Sequence, residues 1–207
     1  MPADMDFNYL KAVNGNGVMD TLFLAYNDEC DSARANHVRK QVLGSGRYKV
    51  EGYSPFTTWS KTNSGSSIEQ IENSIQDGLK RSIATLVLIG PDSAANRWIR
   101  YAIEQSYTAK NPMLGLYIND LPDERGKKSI ADVNPFERFA VLDHGKKVYL
   151  SERYDSYEWS DLGDGKFETW LELARQKSTM PPPRKVSVMP RNIVLSEPAP
   201  ELDTMEM

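Results

Sequence analysis

The segment Ala84-Thr85-Leu86-Val87-Leu88-Ile89-Gly90-Pro91 has the sequence of a strand at the centre of a sheet. Branched apolar side chains dominate its first six positions, as in strands whose two faces are both covered. Gly90 and Pro91 end the run. Ligands of open α/β sheets bind beyond the carboxyl ends of the strands, so we expect a functional site in the turn that begins at Gly90.

An amphipathic helix is predicted directly after this strand. Asp92 or Ser93 is placed to cap its first turn. Its apolar residues recur at helical spacing and mark the face that turns inward: Trp98, Ile99, Ala102 and Ile103. The strand and the helix therefore form one unit of an α/β fold.

The alternation of strands and helices continues on both sides of this unit. We predict strands at 21–26, 48–53, 113–118 and 147–150, and a further short one at 157–159. Helices are predicted from Asp31 or Ser32 to Leu43, over 66–79 and from Asp164 onward, with long loops at 54–65 and 119–135. This order predicts a flavodoxin-like fold of three layers, in which helices cover both faces of a mainly parallel five-stranded sheet.

Turn and proline signals divide the chain into three parts. Residues 1–18 are predicted to form an N-terminal arm, because Asn14-Gly15-Asn16-Gly17 is a turn sequence. Residues 19–178 form the α/β domain. Residues 179–207, which include Pro181-Pro182-Pro183, form a Pro-rich extended tail.

Composition and charge exclude several classes of function. The chain has 207 residues, a net charge of −4 and a single cysteine, Cys30, which fits a reducing compartment. Without clustered basic residues we expect no nucleic-acid partner. No apolar stretch reaches the roughly 18 residues that a membrane span needs, and the first 16 residues lack the apolar core of a secretory signal. We therefore expect a cytoplasmic protein without a membrane partner.

Common nucleotide, metal and hydrolase motifs are missing from the sequence. The segment Gly44-Ser45-Gly46 lacks the Lys-Ser/Thr pair of a phosphate-binding loop. Neither His37 nor His144 has a second His or a Cys at metal-ligand spacing, so we predict no metal site. No Gly-x-Ser-x-Gly elbow occurs.

Seven segments, which together extend over about residues 20–175, carry a family resemblance. They are Leu22–Tyr26, Arg34–Arg39, Leu86–Pro91, Arg97–Tyr101, Leu114–Asn119, Asn134–Phe136 and Tyr157–Trp170. In combination they resemble the TIR-like domains of the ThsB type, from bacterial Thoeris anti-phage systems. The resemblance implies the TIR-like version of the flavodoxin-like fold.

The resemblance also implies an activity. Such proteins consume NAD+ as their substrate: after infection they cleave the bond between nicotinamide and ribose. The product is an ADP-ribose derivative, often cyclic, that activates a partner effector. The resemblance therefore implies that the effector is reached through a small-molecule signal, that a phage protein is a candidate trigger, and that the chain forms a homo-oligomer.

Ala102 occupies the position of the family's catalytic glutamate. In the family this Glu directly follows the Arg-Tyr of an Arg-Trp-x-Arg-Tyr segment, which here is Arg97–Tyr101. Glu104 is a poor substitute, because two residues turn a helical side chain by about 200°. Three explanations stay open: a deliberate Glu→Ala inactivation, a naturally non-catalytic relative, or a catalytic group at another position. As a structural residue, Ala102 belongs to the apolar face of its helix.

Candidate NAD+-binding residues lie at the end of the first predicted strand. Ala25, Tyr26 and Asn27 offer backbone amides and short polar groups to a ribose or a phosphate; the alternative is an ordinary turn between a strand and a helix. Arg34 is a fork-shaped donor suited to a pyrophosphate, or it pairs with an acidic neighbour at the surface. Trp59 either stacks on a base or covers the edge of the core.

Two rival functions fit the same fold. One is a non-enzymatic interaction module that binds a nucleotide or a partner protein. The other is an enzyme similar to nucleoside deoxyribosyltransferases, which would need a carboxylate elsewhere in the pocket. A glutamate at position 102 favours the NAD+-cleaving enzyme, whereas a native alanine favours the interaction module.

Overall fold

A computed structural model describes residues 13–14, 18–52, 68–143, 146–162, 165–179 and 185–190. Trp59 and His144 lie outside these residues, as do the predicted loop at 54–65, most of the arm and most of the tail. The described strands are β1 (Val13–Asn14), β2 (Val18–Ala25), β3 (Tyr48–Gly52), β4 (Ala84–Ile89), β5 (Met113–Tyr117), β6 (Phe139–Asp143), β7 (Lys146–Tyr149), β8 (Ser156–Glu158) and β9 (Lys185–Pro190).

The described helices alternate with the first strands as the sequence predicted. They are α1 (Asp28–Gly44), α2 (Ile68–Arg81), α3 (Arg97–Thr108), α4 (Leu150–Arg153) and α5 (Lys166–Thr179), with 3₁₀ turns at Pro135–Arg138 and Trp159–Asp161. In the part of the chain that the structure describes, no helix is both long enough and apolar enough to cross a bilayer.

Five parallel strands form the main sheet in the order β3-β2-β4-β5-β8. β1 pairs antiparallel with the start of β2. In the β2–β4 pair, Leu22 lies opposite Ala84 and Ala25 lies opposite Val87. The strand order reverses between β2 and β4, since β3 follows β2 in the chain but pairs on its other side. This arrangement confirms the flavodoxin-like prediction, and its reversal point is where such sheets bind ligands.

Helices cover both faces of the sheet. On one face α1 and α5 pack against Leu22, Leu24, Leu86, Leu88 and their neighbours. On the other face α2 and α3 pack against Phe23, Ala25, Val87 and Met113. Alternate residues of β2 and β4 thus serve opposite cores, as the two-residue period of a strand requires. The three-layer prediction is confirmed, and Ala102 belongs to the layer of α2 and α3.

The fifth strand of the parallel sheet is β8 and not the predicted strand at 147–150. That segment belongs to β7, which pairs antiparallel with β6 in a second sheet completed by β9. Lys146 and Lys147 are exposed, which suits an edge strand and not a buried parallel one. β8 has only three residues, and the Tyr157 ring stacks on Trp170 of α5 with centroids 4.3 Å apart.

Two helices begin at residues other than those predicted. α1 begins at Asp28 with Asn27 as its N-cap, so Asp31 and Ser32 lie inside the helix. α3 begins at Arg97 with Asn96 as its N-cap. The predicted caps of α3, Asp92 and Ser93, lie in the preceding turn: the Asp92 backbone has a positive φ of 58°, and the Ser93 Oγ accepts from the Gly90 N–H at 2.7 Å.

The contact between α2 and β2 predicts the effect of a single methyl group. A Cβ on Gly78 would lie 2.6 Å from the ring of the buried Phe23, closer than real Cβ contacts come, so the ring or the helix would have to shift. We expect Gly78→Ala to lower the free energy of unfolding by about 1–3 kcal/mol, the usual cost of overpacking a core. Urea denaturation followed by circular dichroism measures this loss.

Gly44→Ala is the matched control for Gly78→Ala. A Cβ at Gly44, in the last turn of α1, meets nothing within 4 Å. Because alanine is the better helix former by up to about 1 kcal/mol, this variant should equal or exceed the parent in stability. Equal losses at the two positions would contradict the packing argument.

Candidate functional site

A small pocket lies at the carboxyl end of β2, beside the point where the strand order reverses. It contains about 200 Å³ of empty space, part of it open to solvent. Its lining residues come from the end of β2, from α2 and from α3: Phe23, Leu24, Ala25, Tyr26, Ile75, Trp98, Ile99 and Ala102. Three residues predicted from the sequence, Ala25, Tyr26 and Ala102, therefore meet in one pocket.

The pocket lining is apolar and aromatic and includes no carboxylate. The Ala102 side chain is 1% exposed and belongs to the core on the inner face of α3. It also forms part of the pocket wall. Glu104 is exposed and does not line the pocket. Among the described residues that line this pocket, Tyr26 alone carries an ionisable side chain.

Two asparagine amides join the helices at the rim of the pocket. The Asn96 amide nitrogen donates to the Asn27 Oδ1 at 3.1 Å, and the Asn27 amide nitrogen donates to the Pro91 carbonyl at 3.4 Å. Asn27 directly follows Tyr26 and is 5% exposed. Asn96 was missed by the sequence analysis, although an asparagine just before an apolar helical stripe is itself an N-cap signal.

Arg34 is placed away from the pocket lining and inside the protein. Its side chain is 3% exposed and donates to the carbonyls of Cys30, Leu121 and Lys127, as well as to the Asp31 Oδ1 at 3.0 Å. Pairing with an acidic neighbour was one of the two sequence interpretations, but the pair is buried and not at the surface. The guanidinium thereby connects α1 to the loop that follows β5.

Asp31 packs its carboxylate against the turn that follows β4. A Cβ on Gly90 would collide with both carboxylate oxygens, so glycine is required there. Burial raises the pKa of Asp31 to about 6, although the hydrogen bond from Arg34 opposes this shift. The charges of Asp92 and Asp132 raise it further.

The two helices that reach the site differ in charge. The first turn of α1 is acidic, with Asp28, Glu29 and Asp31, whereas the first turn of α3 has no acidic residue. The Arg97 guanidinium lies over the Trp98 ring at 4.8 Å and pairs with Glu72 at 3.6 Å. Across the described ranges, His, Cys, Asp and Glu side chains form no group of three or more that could hold a metal ion.

Comparisons with known proteins identify the family of the chain. The family model for "Thoeris protein ThsB, TIR-like domain" matches residues 23–123. A curated protein of Bacillus cereus (strain MSX-D12), named "Putative cyclic ADP-D-ribose synthase ThsB1", is 30% identical over 151 residues, which are 72% of this chain and 73% of that protein. The chain belongs to the ThsB TIR-like family. Every residue that lines the pocket lies inside the segment that the family model matches.

A solved structure resembles the chain more distantly. The TIR domains of the activated Roq1 resistosome directly recognizing the pathogen effector XopQ are 12% identical, with a TM-score of 0.37. The match covers 79% of this chain and 86% of the Roq1 chain.

The buried Asp31 predicts a pH dependence of stability. Because its pKa is raised by folding from the ordinary 3.8 to about 6, protonated Asp31 stabilises the fold, and this contribution is lost as the pH rises through about 6. Relative to Asp31→Asn, the parent should therefore lose stability between about pH 4 and pH 7. Urea denaturation of both proteins across this range measures the difference.

Asp123→Asn provides a control of opposite sign. The Lys127 N–H holds the pKa of Asp123 below its usual range, so relative to this variant the parent should gain stability as the pH rises from acid toward neutrality. If parent and Asp31→Asn kept a constant difference at every pH, Asp31 would not titrate as described.

Proposed function

We propose that this chain is an NAD+-binding TIR-like protein of anti-phage defence, in which Ala102 replaces the catalytic glutamate of an enzyme that cleaves the nicotinamide–ribose bond. The observation that carries the proposal is that Ala102 lines the pocket together with Ala25 and Tyr26. The named activity of the Bacillus cereus relative supports cyclic ADP-ribose as the product. With glutamate at position 102, a carboxylate would stand at the wall of this pocket.

A single carboxylate is enough for the first step of this reaction. When the bond between the ribose carbon and the nicotinamide nitrogen breaks, its electron pair goes to the nitrogen, and nicotinamide leaves as a neutral molecule. The ribose becomes an oxocarbenium ion. A carboxylate in an apolar pocket stabilises that positive charge more strongly than it could in water. A neutral nucleophile of the same molecule, a hydroxyl oxygen or a ring nitrogen, then forms a bond to the ribose carbon and gives up a proton to water, which yields a cyclic product.

The lining of the pocket supports one orientation of NAD+. Because position 102 lies in a wall that is apolar and aromatic, we propose that the nicotinamide riboside end faces this pocket, with the flat ring against apolar side chains. The adenosine end then lies outside it. The phosphates are placed toward α3 and its Arg97, because the first turn of α1 is acidic.

The cellular part of the proposal rests on the family. We propose that the chain works in the cytoplasm as a homo-oligomer, that a phage protein triggers it, and that the product reaches a partner effector by diffusion. Membership of the Thoeris ThsB family supports this scheme.

Restoring glutamate at position 102 tests the enzymatic proposal. We expect Ala102→Glu to release nicotinamide from NAD+ at least about 100-fold faster than the parent, the usual scale for one electrostatic catalytic group. Purified protein is assayed alone and after exposure to phage-infected lysate, and the products are separated by chromatography. Parent protein should bind NAD+ without turnover.

Two control variants separate charge from volume and from position. Ala102→Gln has the size of glutamate without its charge and should stay inactive. Ala109→Glu adds the same carboxylate at the exposed C-cap of α3 and should also stay inactive. Activity in either control would contradict the assignment of position 102.

A non-enzymatic binding module is the second candidate, and the lack of a carboxylate in the described pocket lining favours it. It predicts that parent and Ala102→Glu both bind NAD+, and that neither cleaves it while both remain folded. Isothermal titration with NAD+ alongside the nicotinamide assay distinguishes the two functions.

A further inference from the structure

The pocket is built from two walls that are distant in sequence. One wall is the end of β2, at Ala25 and Tyr26, and the other is the start of α3, at Trp98 and Ile99. More than 70 residues separate Tyr26 from Trp98 along the chain. Their relative position therefore depends on non-covalent contacts between the two walls and between the residues next to them.

The amide pair Asn27–Asn96 provides such a contact. The two side chains come from positions 69 residues apart and bond at 3.1 Å. Asn27 is the residue after Tyr26, and Asn96 precedes Trp98 by two positions. The pair thus joins the residue that follows one wall to the N-cap of the helix that forms the other.

An asparagine side chain meets all the hydrogen-bonding demands at each of these two positions. The Asn96 Oδ1 accepts from the backbone N–H groups of Trp98 and Ile99 at 2.9 and 3.1 Å, so its nitrogen is the atom left to donate to Asn27. The Asn27 Oδ1 accepts from the Glu29 N–H at 3.3 Å, and its nitrogen donates to Pro91. In each side chain the amide oxygen accepts from the N–H groups of its own helix, and the amide nitrogen donates to a residue of another segment. Aspartate has no N–H group that could donate the second hydrogen bond, and a serine side chain is too short to span the same distance.

We propose that Asn96 is a positioning residue: by donating to Asn27 it fixes α3, and with it the side chain at position 102, relative to the end of β2. The activity readout of this proposal rests on the proposed function, whereas its structural readout does not. A displacement of about 1 Å at a reacting centre costs about 100-fold in rate, so a loosened rim should lower kcat much more than it raises KM.

Serine variants separate this role from helix capping. Serine is a good N-cap, so Asn96→Ser and Asn27→Ser each keep the cap and lose the amide contact. In the Ala102→Glu background we expect each to lower kcat by about 10- to 100-fold and to change KM less than about threefold. The double variant should be no worse than the poorer single one, because both remove the same contact. The proposal would be overturned if the loss of kcat in the double variant equalled the product of the two single losses, or if the single variants left kcat unchanged.

Amide hydrogen exchange in the parent chain tests the contact without catalysis. Asn27→Ser, a change at α1, should speed exchange of the Trp98 and Ile99 N–H groups at the start of α3 by about tenfold. Asn36→Ser is the control, because Asn36 is exposed on α1 and its side-chain oxygen accepts from Arg39 of the same helix. Unchanged exchange at Trp98 and Ile99 would show that the pair does not hold α3.

The two readouts distinguish the failure of this inference from that of the proposed function. If Ala102→Glu released no nicotinamide while Asn27→Ser sped exchange in α3, the enzymatic function would be wrong and the positioning role would stand. If Ala102→Glu were active and neither serine variant changed kcat or exchange, the enzymatic function would stand and the positioning role of Asn96 would be wrong.

Discussion

The parallel pairing of β2 with β4 is the constraint on which the other elements depend. Its register sets Ala25 beside Val87, so the two strands end at the same edge of the sheet and are followed there by α1 and α3. Because β3 pairs on the far side of β2, the connection that leaves β2 and the connection that leaves β4 run in opposite directions from this point. The crevice between them is therefore a result of topology, and the pocket lies where the crevice opens.

Much of the central fold could be predicted because its signals are local. The apolar run at 84–89 and the helical stripe that contains Ile99 are readable without tertiary information. The position of β8 was harder to assign, because a strand of three residues has almost no periodicity and depends on the stack between Tyr157 and Trp170. β6 was missed, and β7 was assigned to the wrong sheet, since pairing partners are not encoded in a strand's own sequence.

The candidate site was predicted only in part, because some of its residues are marked by local signals and others depend on tertiary contacts. Ala25, Tyr26 and Ala102 were identified from their places at a strand end and on a helix face, and the structure brings them together. Arg34 was a reasonable choice by chemistry, but its hydrogen bonds go to backbone carbonyls that are about 90 positions away in the chain. Asn96 was missed because the choice among Asp92, Ser93 and Asn96 as N-cap depends on the turn that Ser93 stabilises.

Arg34 also has a consequence for native-state fluctuations. The loop after β5 closes on itself through backbone hydrogen bonds, among them Asp123 N–H to the Lys127 carbonyl and Ser129 N–H to the Asn119 carbonyl. The guanidinium adds bonds to the Leu121 and Lys127 carbonyls. The same group is anchored to Asp31 and Cys30 in the first turn of α1. Opening the loop would leave a buried cation with its partners removed, so loop and helix turn belong to one cooperative unit of local unfolding. The Arg34 side chain therefore couples the opening of an irregular segment to the opening of the first turn of a helix.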